Sequence, residues 1–332
     1  MNHVKSIEVT TLDVSISEAF RCMAGLNSTV EGMSSSSADV ELRLELFWSQ
    51  CVELASFIIL YYDYALTFPD EVEFFWKRSC RAFFAILFYT NRYLSVFGNL
   101  PHFLVRFGLE QLSVCKTLEL YNQYFVSINQ LVISTIFIHR VYAMYAQNFR
   151  ILCVLVIALA GVIANGLFQW YRSKGAIGTS PDAIMAKVCL STYTDLQGKH
   201  MIFYWLGVVA FDMLVFALTL KKSMQLKATY LGSNLWDVVT RDGILYFGAI
   251  TLSNGSNILV FAIEEGYMKT LLANLVNIVA SVMTSRLMLN LRGASQDLKT
   301  SRNTVESLSL PLSTNGAVSL ATLWDPECTI AN

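Results

Sequence analysis

Asp63, Arg92 and Asp212 each stand inside a run of apolar residues, where a charge is expensive and usually has a partner or a function. Asp63 and Arg92 lie on neighbouring runs, about 7 Å apart in depth at 1.5 Å of helical rise per residue, within reach of a long arginine side chain. The pair reads either as a structural ion bridge or as a functional switch or ion site. Asp212 sits near the midpoint of its run, and Asn129, Gln130, Asn254 and Asn257 fall at comparable depth on others. Asn274 and Asn277 approach from the last run. A carboxylate among amides suits a cation or polar-ligand pocket; the alternative is a protonated Asp212 serving as interhelical glue.

Other chemistry is excluded more firmly. His3, His102, His139 and His200 do not make metal-ligand spacing of the H-E-x-x-H kind. No G-x-S-x-G nucleophile turn is present. The expectation is therefore no catalytic residue, no metal, no cofactor and no enzyme. The formal net charge of -1 argues against a nucleic-acid partner.

The elements that must position these residues are seven apolar stretches: Phe47–Phe68, Ala82–Leu100, Leu118–Ala143, Ile151–Gln169, Met201–Leu220, Gly243–Ile263 and Met268–Leu289. A spanning helix needs about 20 predominantly apolar residues. Of the chain, 54% is hydrophobic and 15% charged, well below the quarter or so of charge in soluble domains. The expected fold is an all-α membrane protein, a seven-transmembrane-helix bundle. A polar tail, residues 1–45, precedes the membrane domain, residues 46–292. A Ser/Thr-rich tail, residues 293–332, follows it. The five prolines all fall outside these stretches, which predicts helices with few kinks. Leu231, Leu235 and Val239 recur at helical spacing beside Trp236, as in a short amphipathic helix on the membrane surface.

Lys77, Arg78, Arg81, Arg140, Arg150, Lys221, Lys222 and Arg286 fall on one side of a seven-span arrangement. Positive charge collects on the cytoplasmic side, so the N-terminus is expected outside and the C-terminus inside. Asn27-Ser28-Thr29 is then an outward-facing glycosylation sequon. Cys115 and Cys189 share that outer face, where disulfides persist. They read as a bridge or as two free thiols.

The segment from Tyr62 to Tyr93 carries Tyr62-Asp63-Tyr64-Ala65-Leu66-Thr67, Glu71-Val72-Glu73, Trp76-Lys77-Arg78 and Asn91-Arg92-Tyr93. It resembles the signature of a large fungal family of membrane proteins bearing domain of unknown function 6533, placed here at residues 52–97. Arg241-Asp242-Gly243 and the segment Ser285-Arg286-Leu287-Met288-Leu289-Asn290-Leu291-Arg292 resemble other recurrent parts of that family. The resemblance implies an integral membrane protein and carries over no activity. A looser resemblance, in layout, is to G-protein-coupled receptors. Arg140-Val141-Tyr142 at the inner end of the third stretch is similar to their Arg-Tyr motif, with His139 where an acidic residue is usual. That likeness implies a small-molecule ligand bound from outside, with Arg140 coupling to a cytoplasmic G protein, most naturally at the plasma membrane and otherwise in an endomembrane. The alternatives are a transporter or channel built on the polar site around Asp212, and a purely structural membrane protein.

Overall fold

The computed structural model describes residues 37–76, 83–108, 112–172, 178–179, 191–192, 195–229, 234–263 and 272–307. Within them the long helices are α1 (Ser37–Glu71), α2 (Phe83–Gly98), α4 (Leu112–Met144), α5 (Phe149–Arg172), α6 (Asp195–Thr229), α7 (Asn234–Ile263) and α8 (Ala273–Ser307). A short helix, α3 (Leu100–Gly108), links α2 to α4. Strands β1 (Gly178–Thr179) and β2 (Ser191–Thr192) form a two-residue antiparallel ribbon between α5 and α6, with Gly178 opposite Thr192.

Segments of α1, α4, α5, α6 and α7 are long and apolar enough to cross a bilayer. The chain is thus a multi-pass integral membrane protein, and lipid is its environment. The other two long helices explain why they read less clearly. The 16 residues of α2 are short for a span. One side of α8 carries Asn274, Asn277, Ser281, Ser285 and Arg286, so a polar stripe dilutes its apolar surface.

The bundle has a centre and a rim. In α4 61% of the spanning window is buried, in α5 only 6%. Of α5's described residues, Leu155 and Gln169 alone are buried. Phe88, Ile133, Phe137, Val141, Phe247, Leu287 and Met288 form the main core. Phe75 stacks on Phe88 at 3.9 Å between ring centres, and Phe137 meets Phe247 at 4.6 Å. Lipid tails are as apolar as these side chains, so association rests on close packing and interhelical hydrogen bonds rather than on water exclusion. Gly98 shows how close the packing is: a Cβ there would overlap the Phe125 ring.

Several boundaries differ from the sequence expectation. Helix α1 begins at Ser37, inside the expected tail, and α8 continues to Ser307. Residues 234–244 belong to the continuous helix α7, which replaces the separate surface helix expected around Trp236. Pro69 falls inside α1, and the chain carries on through a π-helical turn, Val72–Trp76. Proline has no N–H to offer the preceding turn, and wide π turns absorb such interruptions. Between α4 and α5 the turn is tight. Ala146 and Gln147 are left-handed (φ 52° and 59°), and Asn148 caps α5 by accepting the Arg150 N–H through Oδ1 at 3.0 Å.

Candidate functional site

At one end of the bundle meet the start of α1, the start of α4, the end of α5, the start of α6, the end of α7 and the start of α8. They enclose a cavity of about 350 Å³, the lower range of small-molecule sites. Its polar wall is Glu53 of α1, His102 of α3, Asn122 of α4 and Asn274 of α8. Asn274 Nδ2 donates to Glu53 Oε1 and Oε2 at 3.0 and 3.3 Å. His102 Nε2 lies 3.4 Å from the same carboxylate, and Asn122 Nδ2 donates to Asn274 Oδ1 at 3.2 Å. The remaining walls mix further polar side chains, among them Gln130 and Ser134 of α4 and Gln169 of α5, with apolar and aromatic ones such as Trp205 and Phe211 of α6 and Phe261 of α7. On its outer side α5 is laced to α6: Asn165 Nδ2 donates to Phe203 O at 2.9 Å, and His200 Nδ1 lies 2.7 Å from Gln169 Oε1.

Below the cavity a polar seam follows one face of α8. Asn274, Asn277, Ser281 and Ser285 are spaced by three or four residues and therefore stack on one side of the helix. Asn129 Nδ2 donates to Asn277 Oδ1 at 2.9 Å. Ser95 Oγ donates to Ser281 Oγ at 2.5 Å, and Asn91 Nδ2 donates to Ser285 Oγ at 2.9 Å and to Ser281 O at 3.1 Å. The seam thus joins α2, α4 and α8. Its period was readable in the α8 sequence, but its partners were not.

The amide cluster expected around Asp212 is divided by the fold. Asn129 belongs to the α8 seam, and Gln130 faces the cavity. Asp212 of α6 accepts the Asn254 Nδ2 of α7 at 2.6 Å through Oδ2. Its Oδ1, and both polar side-chain atoms of Asn257, have no hydrogen-bond partner among the described residues. Asp212 does not line the cavity, although its neighbour Phe211 does. No group of three or more His, Cys, Asp or Glu suited to a metal occurs among the described residues.

The opposite end of the bundle carries the charges, and here the expected Asp63–Arg92 pair is corrected. Arg92 Nε lies 2.6 Å from Glu71 Oε2, with both side chains buried (3% and 0% exposed). Arg92 Nη2 also donates to Tyr64 O at 3.2 Å, and its guanidinium covers the Tyr64 ring at 4.7 Å. Tyr93 Oη and Trp76 Nε1 donate to Glu71 Oε1 at 2.8 and 3.1 Å. Asp63 instead bonds to Arg286 of α8. Rotation about the helix explains the exchange. Tyr64 and Glu71, seven residues apart, share the face toward α2, whereas Asp63 is turned about 100° away. Glu71 follows Pro69, beyond the apolar stretch Phe47–Phe68, so nothing in the sequence marks it as the partner of Arg92.

Arg140 is buried, with its guanidinium 4.8 Å from the centre of the Phe247 ring. It packs between α4 and α7 rather than at the bundle surface. Asn27, Cys189 and the Cys115 side chain lie outside the described residues.

Residues 51–97 match the model of a family of unknown function (DUF6533). The matched segment holds α1 from Cys51 onward, the π turn and α2, and therefore both Glu71 and Arg92 and the Asp63 that binds α8. No curated protein and no solved structure matches the chain.

Proposed function

We propose that this chain is a receptor-like seven-helix signalling protein, with its N-terminus outside and its C-terminus in the cytoplasm, that senses a small ligand in the cavity. The observation that carries the reading is the cavity itself: an aromatic chamber with one carboxylate, set at a single end of the bundle. Under the positive-inside tendency that end is the outer one. Along α8 two groups of hydrogen bonds follow one another from Glu53 toward Arg286: Glu53 with Asn274 and Asn122, then Asn277, Asn129, Ser95, Ser281, Asn91 and Ser285. A shift of α8 on ligand binding would therefore be felt at the Asp63–Arg286 bond and around Arg140, where a cytoplasmic G protein would read it.

The test is proximity labelling from the cytoplasmic tail in native membranes. The wild type is expected to enrich G-protein subunits. An Arg140→Met variant that melts like its parent is expected to lose them. No enrichment by a well-expressed wild type refutes the signalling role. The rival transporter reading rests on Asp212, whose second oxygen has no hydrogen-bond partner among the described residues. Uptake or conductance that disappears in Asp212→Asn would favour it.

A further inference from the structure

Helix α8 is closed on nearly every side. From Asn274 to Asn290 the positions left open are Leu275, Val279, Met283, Arg286 and Asn290, and every other residue there is buried. Spaced by four, four, three and four, they follow one line along the helix. That line is the floor of a slot facing lipid. Helix α1 closes one flank, with Leu60 packed on Ile278 and Val282 and with Asp63 bonded to Arg286. Helix α7 closes the other, where Asn290 Nδ2 donates to Tyr246 Oη at 2.9 Å. Ala249 and Ser253 follow Tyr246 on the same side of α7; both are small and half-buried and leave the slot wide.

The floor changes chemistry along its length. From Leu275 to Met283 it is apolar for about 12 Å, and Arg286 follows about 4.5 Å further on, at 1.5 Å of rise per residue. Arg286 gives Asp63 its Nε–H. Its two Nη groups have no hydrogen bond among the described residues, and its side chain is 34% exposed. Tyr62, exposed on α1, and Tyr246 lie within electrostatic reach of that guanidinium. The Tyr246 hydroxyl accepts from Asn290 and keeps its own O–H to donate. Depth suits these donors. From Tyr246 to Ile263, the end of α7, the rise is about 25 Å, against a hydrocarbon core of about 30 Å. The polar end of the slot is therefore at head-group level, and its apolar part lies among the acyl chains.

A guanidinium fork fits a phosphate through two N–H groups. Water would satisfy the Nη groups as well, but it gains nothing in an apolar slot. A molecule with a phosphate and an acyl chain satisfies both parts. We propose that the slot between α1 and α7 holds one glycerophospholipid, its phosphate on Arg286 and Tyr246 and one acyl chain along Met283, Val279 and Leu275. Asp63 is the opposing charge: its carboxylate repels the phosphate and holds the affinity below what Arg286 alone would give. The proposal is independent of what fills the cavity.

The experiment uses the full chain, delipidated in a non-ionic detergent and titrated with dioleoyl phosphatidylglycerol under native mass spectrometry. One tightly held lipid per chain is expected, and no retained lipid overturns the site. Dioleoylglycerol, with the same chains and no phosphate, should bind at least about tenfold more weakly, the worth of a charge-assisted hydrogen bond. Equal binding overturns the phosphate contact. Arg286→Gln should weaken phosphatidylglycerol by a similar factor. Asp63→Asn keeps Arg286 and removes the opposing charge, so it should bind the lipid more tightly than wild type. Unchanged or weaker binding by that variant overturns the assignment even where Arg286→Gln fails to fold. A phosphatidylglycerol with a mid-chain diazirine should label Val279 and Met283 as well as Leu252, exposed on α7. Label on Leu252 alone overturns the seat of the chain. Inorganic phosphate at millimolar concentration should leave the lipid bound; displacement would make this a site for free phosphate and refute the lipid.

Discussion

Replacing Arg92 by methionine removes the cation but keeps an unbranched apolar stem, and it tests the charge inside the matched family segment. Glu71 would remain fully buried and would keep only the Tyr93 hydroxyl and the Trp76 indole N–H. Breaking one side of a buried ion pair costs about 3–5 kcal/mol. The two surviving donors place Arg92→Met near the lower end, about 3 kcal/mol. Glu71→Gln should cost less, about 2 kcal/mol, because Arg92 keeps the Tyr64 carbonyl and the Tyr64 ring. The double variant buries no charge and should fall within about 1 kcal/mol of wild type, since apolar or neutral replacements of buried pairs are often nearly neutral. Unfolding in mixed micelles, titrated with a denaturing detergent, gives all four free energies. A coupling of at least about 2 kcal/mol is expected. Additive single effects, within about 0.5 kcal/mol, would refute the buried bridge.

Asp63→Ala should cost less than Arg92→Met, under about 2 kcal/mol, because Arg286 is one-third exposed and can swing its guanidinium to the interface; the same titration ranks the two. Gly98→Ala drives a Cβ into the Phe125 ring, so it should destabilise by about 1–3 kcal/mol, with Phe125→Leu in the same chain restoring the melting temperature. Asn129→Leu cuts the seam at its bonds to Asn277 and Ser95 and should lose about 0.6–2 kcal/mol, the usual range for interhelical hydrogen bonds in bilayers; unchanged melting would mean the seam bonds do not contribute. If the N-terminus is outside, Asn27 accepts a glycan, and glycosidase treatment should increase gel mobility for wild type but not for Asn27→Gln. Protection of an N-terminal epitope from protease in sealed cells would reverse the assigned topology.

How much of this was legible beforehand follows from the solvent. In a bilayer every backbone N–H and C=O must be satisfied within its own helix. A long apolar run therefore specifies a helix by itself, and each of the seven apolar stretches corresponds to a helix. The same rule explains the weak readings. Helix α2 is short, and α8 gives one face to Asn274, Asn277, Ser281 and Ser285. The sequence also marked which polar residues were out of place: Asp63, Arg92, Asn129 and Asp212 are all buried.

Partnership was a different matter. Depth along a helix is a linear quantity and can be counted from its ends. Direction around the axis changes by about 100° at each residue, so it depends on how each helix is rotated when packed. That rotation, with the π turn after Pro69, gives Arg92 to Glu71 and Asp63 to Arg286. It separates Asn129 from Asp212 and turns Gln130 to the cavity. The cavity is the clearest case. No residue encodes it alone, because it is the space enclosed by side chains from α1, α3, α4, α5, α6, α7 and α8 together. Sequence determined the helices and the residues that could not be left to lipid; only the packed bundle decided what those residues touch.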